Sequence, residues 1–174
     1  FPGMPALVEV IAQLTQRIRA LEREIEEICQ QRYPETALLR QVAGVGPLTS
    51  LAYVLTLEDP ARFWKSRSVG GYLGLRPRRR QSGNQDPLLR ITKAGDPYLR
   101  RLLVQSAHYI LGPFGPDTAL RRFGQRLMAR GGRGARKKAL IAVARKLAVL
   151  LHRLWVTGEV YEPLRGEPAE VAAA

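Results

Sequence analysis

Leu7, Ile11, Leu14, Ile18, Leu21, Ile25 and Ile28 recur in alternating steps of four and three. Only a helix brings that spacing onto one line, and the line is a narrow heptad seam sustained for about three heptads. Arg17, Arg19, Glu22, Arg23, Glu24, Glu26 and Glu27 fill the other faces. The first element is therefore a long helix, ended by Pro34, whose ring cannot continue the backbone hydrogen bonds. Two partners suit the seam: the helix's own domain, or a second helix in a coiled coil within or between chains. Its narrowness favours the coiled coil. Cys29 falls just off the seam and reads as a packing residue.

Charge organises the rest. The 174 residues carry 28 Lys+Arg against 15 Asp+Glu, a net of +13. Residues 1–61 are net −3 and residues 154–174 net −3, whereas residues 62–153 hold 22 basic and 3 acidic side chains, net +19. Such a block repels itself when folded unless a polyanion lies against it. Nucleic acid is the first candidate and an anionic membrane surface the second. Its cations other than Lys65, Lys93, Lys137, Lys138 and Lys146 are arginines, whose planar fork matches phosphate oxygens. A single cysteine allows no internal disulfide, and neither a signal-peptide pattern nor a membrane-spanning apolar run occurs. A cytoplasmic protein without a membrane partner is expected. The opening FPGMPALVEV runs almost directly into the helix, which suggests the middle of a longer polypeptide.

The next stretch, ETALLRQVAGVGPLTSLAYVLTLED, reads as two helices joined at Gly44-Val45-Gly46, the second with Pro47 in its first turn. That is a helix-hairpin-helix pattern, in which Gly44 and Gly46 permit a tight turn and backbone N–H groups can hold a phosphate. The alternative is an ordinary helical corner in the core. Asp59-Pro60 opens a short helix, Ser68 reads as another N-cap, and Phe63, Trp64 and Tyr72 read as core. Residues 74–95 are rich in Gly, Pro and Arg without helical period, apart from a short strand signal near Leu88 to Thr92.

Asp96-Pro97 caps a helix with Leu99, Leu102, Leu103 and Ala107 on its apolar face, and Gly112-Pro113 ends it. Another helix is expected from Asp117 to Arg130, then the basic loop GGRGARKK with Arg136, Lys137 and Lys138, then the helix KKALIAVARKLAVLLHRLW. In that last helix Leu140, Val143, Ala144, Leu147, Leu150, Leu151 and Leu154 face inward and Arg145, Lys146 and Arg153 outward. A loosely held acidic tail follows Val160. The expected fold is mostly α. A coiled-coil helix (1–33) precedes a compact helical domain with the helix-hairpin-helix and a basic loop (34–160), followed by the tail (161–174).

Little in the chain can hold a catalytic metal. The basic block offers only Asp86, Asp96 and Asp117, at turns and caps, and His108 and His152 lie on separate helices without ligand spacing. No metal site and no cofactor are expected within these residues. Ser82 stands apart, in RRRQSGNQDP. A serine attacks phosphorus only if a base takes its proton or positive charge stabilises what forms. Arg78, Arg79, Arg80, Arg90 and Lys93 lie within a few residues of it. On composition alone, a phosphate-binding or plain turn serine competes with a nucleophile.

The run LGLRPRRRQSGNQDPLLRITKAGDPYLRRLLVQSAHYIL, with GVGPLTSLAYVLTLEDPARFWKSRSVGGYLGL upstream, closely resembles the C-terminal transposase domain of the insertion-sequence one-ten family. The likeness covers roughly residues 36 to 163 in order. It includes the hairpin, Tyr72-Leu73-Gly74-Leu75, Gln81-Ser82-Gly83, Arg90-Ile91-Thr92-Lys93 and the helix with Leu99-Arg100. The resemblance implies a serine that attacks the DNA backbone, mapping onto Ser82, and a preceding coiled coil mapping onto residues 5–32. It further implies a separate RuvC-like domain whose DEDD carboxylates bind magnesium, a noncoding guide RNA, and work as an oligomer. The DEDD domain has no counterpart here, so magnesium is expected outside this segment. The expected function is thus the serine-bearing part of a DNA transposase or recombinase. Nucleic acid would be held by Gly44, Gly46, Arg78, Arg79, Arg80, Arg90, Lys93, Arg100, Arg136, Lys137 and Lys138. The competing reading is a non-catalytic nucleic-acid-binding module.

Overall fold

Prolines and glycines cut the chain where the sequence places them. The computed structural model describes residues 4–79 and 89–166. Among these lie helices α1 (Met4–Arg32), α2 (Thr36–Leu39), α3 (Pro47–Leu57), α4 (Val69–Tyr72), α5 (Pro97–Leu111), α6 (Ala119–Ala129) and α7 (Ala135–Thr157). Pro60–Arg62 and Ser66–Ser68 form single 3-10 turns, and one isolated antiparallel bridge pairs Pro77 with Ile91. The fold is mostly α, as expected.

The core forms around α7. Its Val143, Ala144, Leu147, Ala148 and Leu151 are fully enclosed, meeting Tyr53, Val54 and Leu57 of α3, Leu99, Leu103 and Ala107 of α5, and Leu73 and Leu75. The Tyr53 hydroxyl donates to the Ala148 carbonyl at 2.6 Å, which satisfies the one polar atom that this ring takes inside. Burial pushes that phenol's pKa well above its ordinary 10.0. Gly124 lets α6 approach closely: a Cβ there would lie 2.5 Å from Leu111 Cδ2 and 2.8 Å from Val143 Cγ2.

His152 is a satisfied core histidine. It is 1% exposed, its Nε2 lies 3.0 Å from the Pro60 carbonyl, and its Nδ1 lies 3.0 Å from Ser66 Oγ. A carbonyl only accepts, so Nε2 donates to it, and Nδ1 pairs with the serine hydroxyl.

α1 docks only by its C-terminal end. Cys29 is buried, Ile25 and Ile28 are half-buried, and Glu26 accepts a 2.7 Å ion pair from Arg40. Leu7, Ile11, Leu14, Ile18 and Leu21 are 49–59% exposed, so no part of the described chain covers this stretch of the seam.

Several local expectations change. Trp64, expected in the core, is 94% exposed; Tyr72 is partly exposed, and only Phe63 packs inward, edge-on to Tyr72 and His152. Ser68 has helical backbone angles and makes no capping bond, because the 3-10 turn before it runs straight into α4. The sixth helix is shorter than expected, capped by Thr118, whose hydroxyl accepts from the Arg121 N–H. α7 starts at Ala135, so Arg136, Lys137 and Lys138 form its first turn rather than a loop. The start of the tail is tied down: Tyr161 N–H donates to Gln41 Oε1 at 2.8 Å and Ala119 N–H to the Pro163 carbonyl at 2.7 Å.

Candidate nucleic-acid interface

A short ladder closes the base of the basic loop. Arg78 N–H donates to the Arg90 carbonyl and Thr92 N–H to the Arg76 carbonyl, both at 2.9 Å, and Lys93 N–H reaches the Gly74 carbonyl at 3.1 Å. Of the strand signal near Leu88 to Thr92, the described residues from Leu89 on become one side of a stem clamped against the Leu73–Leu75 turn. Two glycines allow the clamp. Gly74 and Gly95 have φ of +69° and +72°, and a Cβ on either would collide with the Ala94 or Tyr72 carbonyl oxygen. Lys93 itself takes φ 59° to complete the crossing.

Arg100 holds this stem from below. Its Nη1 donates to the Ala94 carbonyl at 2.9 Å and the Leu73 carbonyl at 3.2 Å. The guanidinium is therefore turned toward the protein, bracing the loop's two flanks on α5. Asp96 caps α5 through the Leu99 N–H, which fixes where Arg100 emerges. Thr92 Oγ1 is shielded from solvent and has no hydrogen-bond partner among the described residues.

Above the stem, Arg78, Arg79 and Arg90 converge with Leu89 on a groove of about 540 Å³. All three arginines are exposed. Arg78 Nη2 makes one 3.4 Å bond to the Thr92 carbonyl, leaving the rest of its fork outward. Ser82 and Arg80 lie outside the described residues.

The other expected contacts are dispersed. Where two helices around Gly44-Val45-Gly46 were expected, there is one four-residue helical turn, α2, then an irregular stretch and α3. Gly44 has φ +86°, and a Cβ there would meet Tyr109 Cδ1 at 3.0 Å and the Ser106 carbonyl at 3.2 Å. This glycine thus serves the packing of the turn on α5. Gly46 is exposed and open. The groove between this turn and α5 has no charged lining, and on its α1 side Arg19 and Arg23 are matched by Glu22 and Glu26. The helix-hairpin-helix is therefore not established here.

Arg136, Lys137 and Lys138 are exposed on the first turn of α7, with no acidic residue in that turn. Three cations at a helix's positive end are electrostatically unfavourable without an anion nearby. They do not line the Arg78–Arg90 groove. No three His, Cys, Asp or Glu side chains converge among the described residues, so these do not fit a magnesium site. No described helix is long and apolar enough to cross a membrane.

Sequence reasoning missed a second cationic groove, formed by Arg67, Arg76, Arg145 and Lys146 around Phe123. Its members come from three separate stretches, so no local run announced it. The available signal was Gly70-Gly71, where missing side chains open the surface on which two of these arginines lie.

The stretch that holds this stem and both its glycines matches a known family. Residues 36–123 fit the model of the transposase IS116/IS110/IS902 family, and the chain belongs to that family. It is 29% identical over 153 residues to the transposase for insertion sequence element IS1111A of Coxiella burnetii, covering 88% of this chain and 39% of that one. It is 34% identical over 158 residues to a probable family 20 transposase of Pseudomonas aeruginosa, covering 90% and 46%. To the transposase for insertion sequence element IS1328 of Yersinia enterocolitica it is 37% identical over 109 residues, covering 59% and 33%. The chain thus spans between a third and a half of the length of these relatives.

Proposed function

We propose that this chain is the serine-bearing, DNA-gripping part of a DNA transposase, and that Ser82 is its nucleophile. One observation supports the reading: the described residues on either side of the Ser82 stretch form a stem braced by Gly74, Gly95 and Arg100, with three exposed arginines at one groove beside it. The loop lies inside the stretch that matches the family.

In this reading a scissile phosphodiester lies in the Arg78–Arg79–Arg90 groove, where guanidinium forks hold its non-bridging oxygens. Ser82 Oγ attacks phosphorus, its proton passing to a base, and a P–Oγ bond forms. The P–O bond to one DNA end breaks, and that oxygen leaves as a hydroxyl after taking a proton. A hydroxyl from a second strand then displaces Oγ, restoring the serine and joining the strands. The arginines offset charge that builds on the phosphate in both steps, the part of such catalysis with the largest leverage. Magnesium, which the family resemblance expects, would be held by residues outside the described ones, and neither step above runs through it. The guide RNA and the target DNA would share the cationic surface, with sequence chosen by base pairing. The uncovered α1 seam would join copies of the protein in a coiled coil.

The test uses the full-length protein with a nicked suicide DNA substrate, denaturing gels and peptide mapping. A DNA adduct on Ser82, absent in Ser82→Ala while salt-dependent binding persists, is the expected outcome. Strand exchange that survives in Ser82→Ala with no adduct would reduce the segment to a non-catalytic nucleic-acid-binding module.

A further inference from the structure

Along α7, bounded by Phe123 of α6 and by the segments that flank α4, lies a groove of about 520 Å³ whose cations are Arg67, Arg76, Arg145 and Lys146. No carboxylate lines it, and none of the four is ion-paired among the described residues. By contrast Arg40, Arg62, Arg122, Arg153 and Arg165 each meet an acidic partner, while Arg100 and Arg121 are turned onto backbone carbonyls. Here four positive charges share one groove without compensation, an arrangement that an external polyanion relieves.

The cations are also held in place. A Cβ on Gly70 would lie 2.8 Å from Arg145 Cγ, and one on Gly71 would lie 3.2 Å from both Cδ and Nε of Arg76. Bare backbone at both positions thus lets the two arginine stems lie flat on α4. Arg76 Nη2 donates to the Arg67 carbonyl at 3.1 Å, which fixes its fork while leaving other N–H groups outward. Lys146 Nζ sits 4.4 Å from the Phe123 ring centroid, a cation–π contact that anchors the ammonium at the groove wall. Preorganised cations lose less side-chain freedom on binding than cations on loose stems.

We propose that this groove is a second phosphodiester-binding site, taking a nucleic-acid backbone apart from the strand held at the Arg78–Arg90 groove. The proposal deepens the reading of the chain as a nucleic-acid-gripping part of a transposase and rests on it. Four cations from a 3-10 turn, a post-turn segment and a long helix form a track, and no base-reading is required of them. Two backbone tracks on one small domain would let the protein hold two strands at once, as strand exchange demands.

Fluorescence anisotropy with labelled oligothymidylate and oligouridylate of equal length, across a KCl series, tests this on the 174-residue chain. The variants are Arg145→Gln/Lys146→Gln, Gly70→Ala, and Arg78→Gln/Arg90→Gln as the comparison, each checked for an unchanged melting temperature. The groove double variant is expected to weaken binding by about tenfold or more and to reduce the salt slope by about 1.4, two contacts at roughly 0.7 each on a single strand. Gly70→Ala keeps every charge but displaces Arg145, and is expected to weaken binding without a matching loss of slope. Loss with one oligonucleotide alone assigns the groove to DNA or to RNA, and loss with both assigns it to backbone generally. If the wild type and the loop comparison behave as nucleic-acid binders but the groove variants match wild type, the groove proposal falls alone. If the wild type binds neither oligonucleotide, the gripping reading falls with it.

Discussion

α1 and α7 are the two long helices, 29 and 23 residues, and both place leucine and isoleucine at helical spacing. α7 buries nine residues; α1 buries only Cys29. The width of the apolar face separates them. On α7 the apolar positions spread over enough of the circumference for α2, α4, α5 and α6 to pack around it, with Tyr53 of α3 bonded to its Ala148 carbonyl. On α1 they form one line, which a single facing helix would fill and a domain surface would not. A broad stripe makes a core, whereas a narrow seam calls for another helix.

Four measurements would sharpen or break that contrast. The largest effect is expected from Leu151→Ala in α7, which is fully enclosed: about 2–5 kcal/mol lost in urea unfolding, from transfer plus cavity. Tyr53→Phe removes the hydroxyl that joins α3 to Ala148 and should cost about 1 kcal/mol by the same assay, since the ring still fills its site.

A smaller effect is expected from acid. Arg40, then Gln30, hydrogen-bond Glu26 and hold its carboxyl below the ordinary 4.5. A folded-state pKa depressed in this way stabilises above the unfolded value, and the stabilisation is lost as pH falls through the folded one. Docking of α1 should therefore loosen below about pH 4.5, seen as faster hydrogen exchange around Cys29, and Glu26→Gln should remove that pH dependence. The smallest effect on folding is expected from Leu14→Glu/Ile18→Glu, within about 0.5 kcal/mol per site, because both residues already face solvent. If the seam joins copies of the protein as proposed, sedimentation should nonetheless show that association lost. A large loss of stability instead would mean that the seam packs on its own domain.

Much of this was legible in the residues. Heptad spacing and prolines locate α1, Asp96-Pro97 locates α5, and the inward face of α7 is as expected except that Leu150 is half-buried. Charge segregation pointed to a polyanion before any geometry. The misreadings share one cause, that local pattern says nothing about which neighbour arrives. Trp64 looked like core and stands in solvent, because Phe63 takes the inward position beside His152. Gly44, expected at a phosphate-binding turn, also meets a neighbour that local pattern did not announce, since its bare backbone packs on α5.

The arginines show the division most plainly. Sequence by itself determined that residues 62–153 carry a large positive excess, that helices display it, and that a glycine- and proline-rich loop concentrates part of it. Only the tertiary structure decided the job of each cation. Arg100 and Arg121 donate to carbonyls at the loop stem and the end of α5, while Arg78, Arg79 and Arg90 gather at one groove and Arg67, Arg76, Arg145 and Lys146 at another. The physical reason is that a guanidinium can donate either to a carbonyl of its own chain or to an outside phosphate. Which it meets depends on residues distant in sequence that folding brings within reach.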